Sequence, residues 1–169
     1  MIRLATMLDL NDIWQLREET KALLKERGID QWQHSNPSYE TFIKDIELNE
    51  LYVYEENGII LGMIAIKKGI EHTYDIIYEG TWGNDLPYLT VHRLAVKRTL
   101  LGQTIAKDLM LYAEHVAKLH EIQSIRIDTH ETNRFALRLF TTLGYQRRGF
   151  IMLENDLGDL KRVALDKTI

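Results

Sequence analysis

The apolar residues of this chain recur with two spacings, every second position in some segments and every third or fourth in others. The first spacing is typical of strands with one buried face, and the second of helices with one buried face. Polar or glycine-containing breaks separate the segments. The pattern predicts strands at residues 2–6, 51–56, 59–66, 88–96, 122–128, 145–153 and 161–166, and helices at 9–27, 37–48, 102–119 and 133–143.

Local signals support several of these boundaries. Asn57-Gly58 lies between two β-rich runs and indicates a hairpin, because a type I′ turn needs positive φ at both positions. Asn36-Pro37 is typical of a helix start, with asparagine as the cap and proline at the first helical position. Gly144 closes the last helix. The order of elements predicts an α/β fold with a mixed sheet and helices on both faces.

Length and composition fit a single domain that spans residues 1–169. Apolar residues make up 45% and charged residues 27% of the chain, which is the balance of a globular protein with a hydrophobic core. The formal net charge is −4, which argues against nucleic acid as a partner because such a surface needs a basic surplus.

The lack of cysteine excludes disulfides, thiolate nucleophiles and cysteine-ligated metals, and no metal site is expected. The N-terminal segment has no apolar run after a basic start, so it is not typical of a signal peptide. No stretch approaches the roughly 18 apolar residues of a membrane helix. We therefore expect a cytoplasmic protein without a membrane partner.

Residues 94–106 join the end of a strand to the start of a helix through a loop that contains Gly102. Such a junction presents unpaired backbone N–H groups and the positive end of a helix dipole, which both favour a bound phosphate. Lys97, Arg98 and Lys107 add positive charge around it. The alternative is an ordinary connection with surface lysines, and the Rossmann and P-loop glycine patterns are absent.

A second segment, residues 133–145, reads N-R-F-A-L-R-L-F-T-T-L-G-Y and follows a strand that ends at Ile127-Asp128. Together with L-A-V-K-R-T-L-L-G-Q-T-I-A at 94–106, it closely resembles the signature of the GNAT N-acetyltransferase superfamily. The order of elements also matches, so the resemblance covers essentially the whole chain. The phrases H-R-L-A-V, I-R-I-D-T-H-E-T-N and G-I-D-Q-W-Q are similar to those of a bacterial subgroup of that superfamily.

The resemblance implies an acyl-CoA N-acyltransferase fold, with a mostly antiparallel sheet of about seven strands and a splay between the strands at 88–96 and 122–128. It implies an enzyme that transfers the acetyl group of acetyl-CoA to a primary amine by direct attack. Its partners would be acetyl-CoA and an amine-bearing acceptor, and a homodimer is left open. The coenzyme would be bound by Leu94, Val96, Leu101, Gly102, Gln103, Thr104, Ile105, Ala106, Asn133, Ala136 and Phe140.

Three positions depart from the family pattern. Leu101 replaces the usual arginine or glutamine and Thr104 replaces a glycine, so we expect the coenzyme to bind more weakly. Phe140 stands where many members carry the tyrosine that protonates the leaving thiolate. The acid that protonates the thiolate could instead be Tyr145, Tyr88 or water. Phe140 is also explained by simple core packing. These departures favour an alternative function, a catalytically impaired acyl-CoA-binding or regulatory module. A structural domain without coenzyme is a third hypothesis.

Direct attack needs a base, because an alkylamine with a pKa of about 10.4 is mostly protonated at neutral pH. His92 is the first candidate, since imidazole has a pKa of about 6.5 and strand alternation places His92 on the face of Leu94 and Val96. A structural histidine bonded to a neighbouring strand is the alternative. Asp128 and His130 at the tip of the next strand are second choices, although Asp128 could instead cap the following helix.

The acceptor is expected to bind near the early loops and the segment 70–88. Its candidate walls are aromatic and imidazole side chains: Trp32, His34, Tyr78, Trp82 and, at the strand tip, His130. Acidic residues that could attract a cationic amine are Glu71, Asp75, Glu79 and Asp85. A solvated acidic loop with aromatic rings packed beneath it explains the same residues equally well.

Overall fold

The computed structural model describes residues 1–102, 104–154 and 156–169. Within them, the alternating segments form strands and the amphipathic segments form helices. The strands are β1 (Ile2–Leu4), β2 (Leu51–Glu56), β3 (Ile59–Lys68), β4 (Tyr88–Val96), β5 (Ser124–Thr129), β6 (Gln146–Met152) and β7 (Lys161–Thr168). The helices are α1 (Leu10–Glu26), α2 (Tyr39–Glu47), α3 (Ile105–Leu119) and α4 (Arg134–Thr142), with 3₁₀ turns at Met7–Asp9, His72–Tyr74 and Arg98–Leu100.

The strands form one seven-stranded sheet in the order β1-β2-β3-β4-β5-β7-β6. The neighbours β4 and β5 run parallel, with α3 between them in the chain, and the other neighbouring pairs are antiparallel. The predicted mixed, mostly antiparallel sheet is therefore confirmed. Its parallel pair lies near the centre, where the candidate site is built.

Helices cover both faces of the sheet, and β3 is apolar on both, with Ile64 facing one core cluster and Met63 facing the other. On one face, Leu109 of α3 is buried in a cluster with Ile64 and Ile127 of the sheet. On the opposite face, Ile13 of α1 and Phe42 of α2 are fully buried in a second cluster. Among the described residues, no helix is both long and apolar enough to cross a membrane.

The hairpin between β2 and β3 has the predicted turn. Asn57 and Gly58 have φ values of +52° and +78°, which a type I′ turn requires. The turn fixes the register in which β2 and β3 pair.

The start of α2 differs from the prediction. Asn36-Pro37 is a cis peptide that lies before the helix, and the cap is Ser38. The hydroxyl of Ser38 accepts a hydrogen bond from the backbone N–H of Thr41 at 3.2 Å, which satisfies a donor that no helical carbonyl can reach. The helix therefore starts at Tyr39, and Asn36 and Pro37 remain in the loop that precedes it.

Residues 69–87 leave the sheet after β3 and return to it at β4. On the way, Tyr78 forms an isolated antiparallel bridge with Phe150 of β6, with backbone hydrogen bonds of 2.8 and 3.0 Å. Gly80 permits this close approach, because a Cβ atom there would lie 1.7 Å from the carbonyl oxygen of Arg148. The excursion is thus packed against the sheet, and its first turn reaches the candidate site.

Candidate active site

The parallel strands β4 and β5 separate halfway along β4. Their register ends at the pair Val91–Ile127, and residues 92–96 of β4 have no partner in β5. The gap leaves backbone N–H and C=O groups near the centre of the sheet available to a ligand. This is the splay expected from the sequence, and β5 runs to Thr129.

A β-bulge in β4 lies beside this gap. On the side of β3 the register jumps between two pairs, Ala65–His92 and Met63–Ala95. Arg93 and Leu94 therefore oppose a single residue of β3, and neither has a register partner in β3 or β5. Arg93 has a φ of +55°, a conformation that side chains with a Cβ atom rarely adopt.

The bulge overturns one expectation from strand alternation. His92 was expected to share a face with Leu94 and Val96, but the extra residue reverses the alternation beyond it. His92 lies beside the ring of Tyr74, at a centroid distance of 6.4 Å, whereas Leu94 and Val96 pack on the cluster around α3. The imidazole and the Leu94 side chain thus lie on opposite faces of the sheet.

A buried ion pair holds the bulge. The Nε atom of Arg93 lies 3.0 Å from Oδ2 of Asp45, at ion-pair distance but without the alignment of a hydrogen bond. Asp45, on α2, is 1% exposed, and Lys67 of β3 contacts its other oxygen at 3.0 Å. Lys67 also lies 3.1 Å from Glu50, so two cations face two carboxylates. Sequence reasoning missed the pair, because nothing local in the chain marks it.

The gap opens into a cavity of about 300 Å³. It brings together these residues singled out from the sequence: Trp32, His92, Leu94, Asp128, Asn133, Ala136 and Phe140. A second cavity of about 170 Å³ shares four lining residues with the first: His92, Arg93, Asp128 and Leu153. In the described part of the chain, no group of three or more His, Asp or Glu side chains is placed to hold a metal ion.

The imidazole of His92 is oriented by a carboxylate. Its Nε2 atom lies 3.3 Å from Oε2 of Glu71, which also accepts a hydrogen bond from the hydroxyl of Thr73 at 3.0 Å. The hydrogen bond with His92 lowers the pKa of Glu71 to about 2, so Glu71 is ionised at neutral pH. An ionised carboxylate can only accept, so in the neutral ring Nε2 carries the proton and Nδ1 keeps a lone pair. This arrangement suits a general base.

Asp128 lines both cavities together with His92. Tyr74, which is 2% exposed, donates its hydroxyl to Oδ1 of Asp128 at 2.6 Å. Burial and then the charge of Asp128 raise the pKa of Tyr74 well above its usual value, so the hydroxyl stays a donor. Asp128 does not cap α4. That role falls to Asn133, whose side chain accepts from the N–H of Ala136 at 3.2 Å.

Phe140 is buried and lines the larger cavity. The two tyrosines expected as alternative acids, Tyr88 and Tyr145, are not among the residues that line this cavity. The hydroxyl of Tyr145 is buried without a hydrogen-bond partner among the described residues, and burial raises its pKa. The hydroxyl of Tyr88 accepts a hydrogen bond from the N–H of Glu71 at 3.2 Å. Neither tyrosine lines either cavity.

The turn before α3 is open to solvent. Gly102 has a φ of +87° and no heavy atom within 4 Å of where a Cβ would lie. Leu101 and Thr104 are exposed, and the hydroxyl of Thr104 donates to Asp108 at 3.2 Å; Gln103 lies outside the described residues. The first N–H groups of α3 have no helical partners. Three further residues expected to bind the coenzyme are half-buried or buried and offer mainly backbone groups: Val96, Ile105 and Ala106.

Three residues expected to bind the acceptor lie outside both cavities. Tyr78 stacks on Phe150 with ring centroids 5.3 Å apart. Trp82 donates its indole N–H to a backbone carbonyl at 3.0 Å. His130 is 6% exposed and contacts Asp159 of the loop after β6. Their polar and aromatic groups are used in holding the excursion and the loops in place.

Comparison with known proteins decides the family. The profile of the acetyltransferase (GNAT) family matches residues 10–145. A GNAT-family acetyltransferase from Streptococcus agalactiae is 33% identical over 100% of this chain and 95% of that chain, with a TM-score of 0.89. The chain belongs to the GNAT acetyltransferase family. None of the curated proteins compared with it matches in sequence.

More distant GNAT structures share the fold. The PaiA N-acetyltransferase from Thermoplasma acidophilum, solved in complex with coenzyme A, is 20% identical over 100% of this chain and 98% of that chain, with a TM-score of 0.72. The ribosomal-protein-S18-alanine N-acetyltransferase from Escherichia coli is 12% identical over 100% and 93%, with a TM-score of 0.68. The overall fold of this GNAT chain is therefore shared with N-acetyltransferases of low sequence identity.

The ion pair at the bulge gives a first prediction for this GNAT protein. We expect Asp45→Asn to lower the free energy of unfolding by about 3 kcal/mol, because Arg93 and Lys67 lose a shared, buried counter-charge. Urea unfolding at neutral pH measures this loss. The matched control is Glu50→Gln, which takes a charge from Lys67 at a less buried site and should cost about 1 kcal/mol or less. Equal losses in the two variants would contradict a special role for the Arg93–Asp45 contact.

Proposed function

We propose that this chain is an N-acetyltransferase that takes the acetyl group of acetyl-CoA and passes it to a primary amine by direct attack. The observation that carries the proposal is the gap between β4 and β5, with an unpaired, bulged backbone at Arg93 and Leu94. A thioester carbonyl at the gap would find backbone N–H donors for the oxyanion that forms during attack. An imidazole–carboxylate pair, His92 and Glu71, lies at the edge of the same gap.

The residues around the gap suit the coenzyme. On the side that faces β5, residues 92–96 have no strand partner and offer backbone amide groups to a pantetheine arm. The turn at Gly102 and the first N–H groups of α3 offer donors to a pyrophosphate. Lys97 and Lys107 take part in no ion pair among the described residues, so their charges are available to phosphate, whereas Arg98 is paired with Glu26 at 2.8 Å. A cytoplasmic site of action, the compartment expected for a chain without cysteine, completes the proposal.

His92 is the proposed base, with Glu71 as the residue that orients it. An acceptor that arrives as an ammonium gives one proton to Nδ1 of His92, and the freed nitrogen lone pair attacks the thioester carbonyl carbon. The new N–C bond forms, the C–S bond breaks, and coenzyme A leaves as a thiolate. The second proton on nitrogen goes to the thiolate, directly or through water, so the products are an N-acetyl amine and free thiol.

The leaving group does not need a strong acid, because a thiol has a pKa of about 8.5. Phe140 has no proton to give, and neither Tyr88 nor Tyr145 lines the cavity. These observations favour a second candidate function, an acyl-CoA-binding or regulatory module with impaired catalysis. Thiol release from acetyl-CoA in a broad panel of primary amines separates the two: the enzyme releases thiol with a suitable amine, and the module binds acetyl-CoA without release.

Coenzyme binding at the α3 turn is tested with a pair of glycine variants. We expect Gly102→Glu to weaken acetyl-CoA binding at least about a hundredfold, because it places a negative charge and a side chain where the pyrophosphate would lie. Gly58→Glu is the matched control, since Gly58 also has a positive φ of +78° and open space around it, but lies in the β2–β3 turn. Calorimetric titration with acetyl-CoA is the measurement. Equal affinity in the two variants would remove the phosphate site from this turn.

The role of His92 is tested by kinetics. We expect His92→Gln to lower kcat about a hundredfold and to move the acidic limb of the pH–rate profile to higher pH, because the amine, with a pKa of about 10.4, must then lose its proton to solvent before it attacks. Acetyl-CoA affinity should stay nearly constant. His115→Gln, at an exposed position on α3, is the control and should leave both kcat and the profile unchanged. A His92 variant with the parental rate and profile would exclude it as the base.

A further inference from the structure

The end of α1 contacts both sides of the gap between β4 and β5. Oε1 of Glu26 lies 2.8 Å from Nη1 of Arg98, in the 3₁₀ turn that follows β4. The guanidinium of Arg27 lies over the ring of Phe135, in the first turn of α4, with Cζ 3.8 Å from the ring centroid. Two adjacent residues therefore contact the two elements between which the coenzyme is proposed to lie.

Arg27 carries a positive charge that the protein leaves without a counter-ion. Its side chain takes part in no ion pair and no hydrogen bond within residues 1–102, 104–154 and 156–169, and the carboxylate next to it in the chain, Glu26, is engaged by Arg98. A guanidinium that stacks on a ring uses its face, so the N–H groups at its edge stay open to an anion. The place is also open to a ligand, since Phe135 is 64% exposed.

This cation lies along the path proposed for the coenzyme. The turn Arg98–Leu100 leads directly into Leu101 and Gly102, where backbone N–H groups are proposed to bind the pyrophosphate. On the other side of the gap, Ala136 follows Phe135 in the chain and lines the larger cavity. A coenzyme that runs from the cavity to the turn at Gly102 thus passes between the two elements that the end of α1 contacts.

The same turn lacks a polar side chain that the family pattern has. Leu101 stands where arginine or glutamine is usual, and although it is 42% exposed it has no hydrogen-bond donor on its side chain. Resting on the proposed function, we infer that Arg27 binds a phosphate of the coenzyme and supplies from α1 the side-chain donor that position 101 lacks. A guanidinium suits this role because it can donate two parallel N–H groups to one phosphate.

A cation at the end of a helix also has a purely structural explanation. Arg27 is the C-cap residue of α1, and a positive charge there is favourable because the last carbonyl groups of a helix form its negative end. In that role Arg27 would stabilise the fold and would not distinguish ligands by their phosphates. The two roles therefore separate when affinity is measured for ligands with and without phosphate.

Three thioesters share the acetyl-pantetheine arm and differ in phosphate: acetyl-CoA, acetyl-dephospho-CoA without the 3′-phosphate, and S-acetylpantetheine without any phosphate. We expect Arg27→Gln to weaken acetyl-CoA binding about tenfold, because a hydrogen bond between charged groups is lost, and to leave S-acetylpantetheine binding unchanged. A loss that persists with acetyl-dephospho-CoA assigns Arg27 to the pyrophosphate, and a loss that disappears assigns it to the 3′-phosphate. Ligand-detected NMR titration measures all three, since it extends to weak binding.

Lys118→Gln is the matched control. It removes one positive charge from the last turn of α3, about 20 Å from the start of that helix, and should leave all three affinities unchanged. Parental affinity of Arg27→Gln for acetyl-CoA, an equal loss for all three ligands, or an equal loss in Lys118→Gln would overturn the inference while leaving the proposed acetyl transfer standing. No binding of acetyl-CoA to the parental protein would count against both.

Discussion

Backbone groups at the centre of a sheet must find partners, and in this protein the separation of β4 from β5 after Val91 takes those partners away. An unpaired buried N–H or C=O group is unfavourable unless water or a ligand satisfies it. On the outer sides of the gap the strands stay paired, β3 with β4 and β7 with β5. This pairing holds β4 and β5 in place on either side of the gap. The cavity and the unpaired backbone both depend on this one interruption, and so does the chemistry proposed for them.

The groups at the gap are fixed from outside the sheet. Asp45 of α2 pairs with the side chain of Arg93, the residue of positive φ. The turn at 71–74 holds the two other groups: Glu71 contacts His92, and Tyr74 donates a hydrogen bond to Asp128. Each contact joins a central strand to an element that packs over the same face. The structure thus couples α2 and the turn at 71–74 to the strand where the thioester is proposed to react.

Much of the architecture could be predicted from the sequence, because alternation and helical spacing are local signals. The hairpin at Asn57-Gly58 is read directly from residue type. The bulge could not be predicted, since a single inserted residue leaves no mark in the pattern and reverses every side chain beyond it. For the same reason His92 was placed on the face of Leu94, from which the structure separates it.

Contacts between distant segments account for the other differences. His130 is a polar residue at a strand tip, a position typical of a binding site, but its ring is satisfied by a loop near the end of the chain. The pair Arg93–Asp45 escaped notice for the converse reason: each residue is unremarkable in its own segment and acquires its role only through the other. Sequence patterns locate elements well, but they do not show which buried charges meet.

In the proposed function, acetyl passes from the coenzyme to an amine without a covalent enzyme intermediate, and this direct transfer is the step to test. It is tested most directly by mass spectrometry of the protein and the small molecules after incubation with isotope-labelled acetyl-CoA, with and without a panel of primary amines. Direct transfer leaves the protein unlabelled in both samples and, with the amine present, gives one labelled N-acetyl product for each free thiol released. Labelled protein in the absence of amine, or thiol released without N-acetyl product, would contradict it.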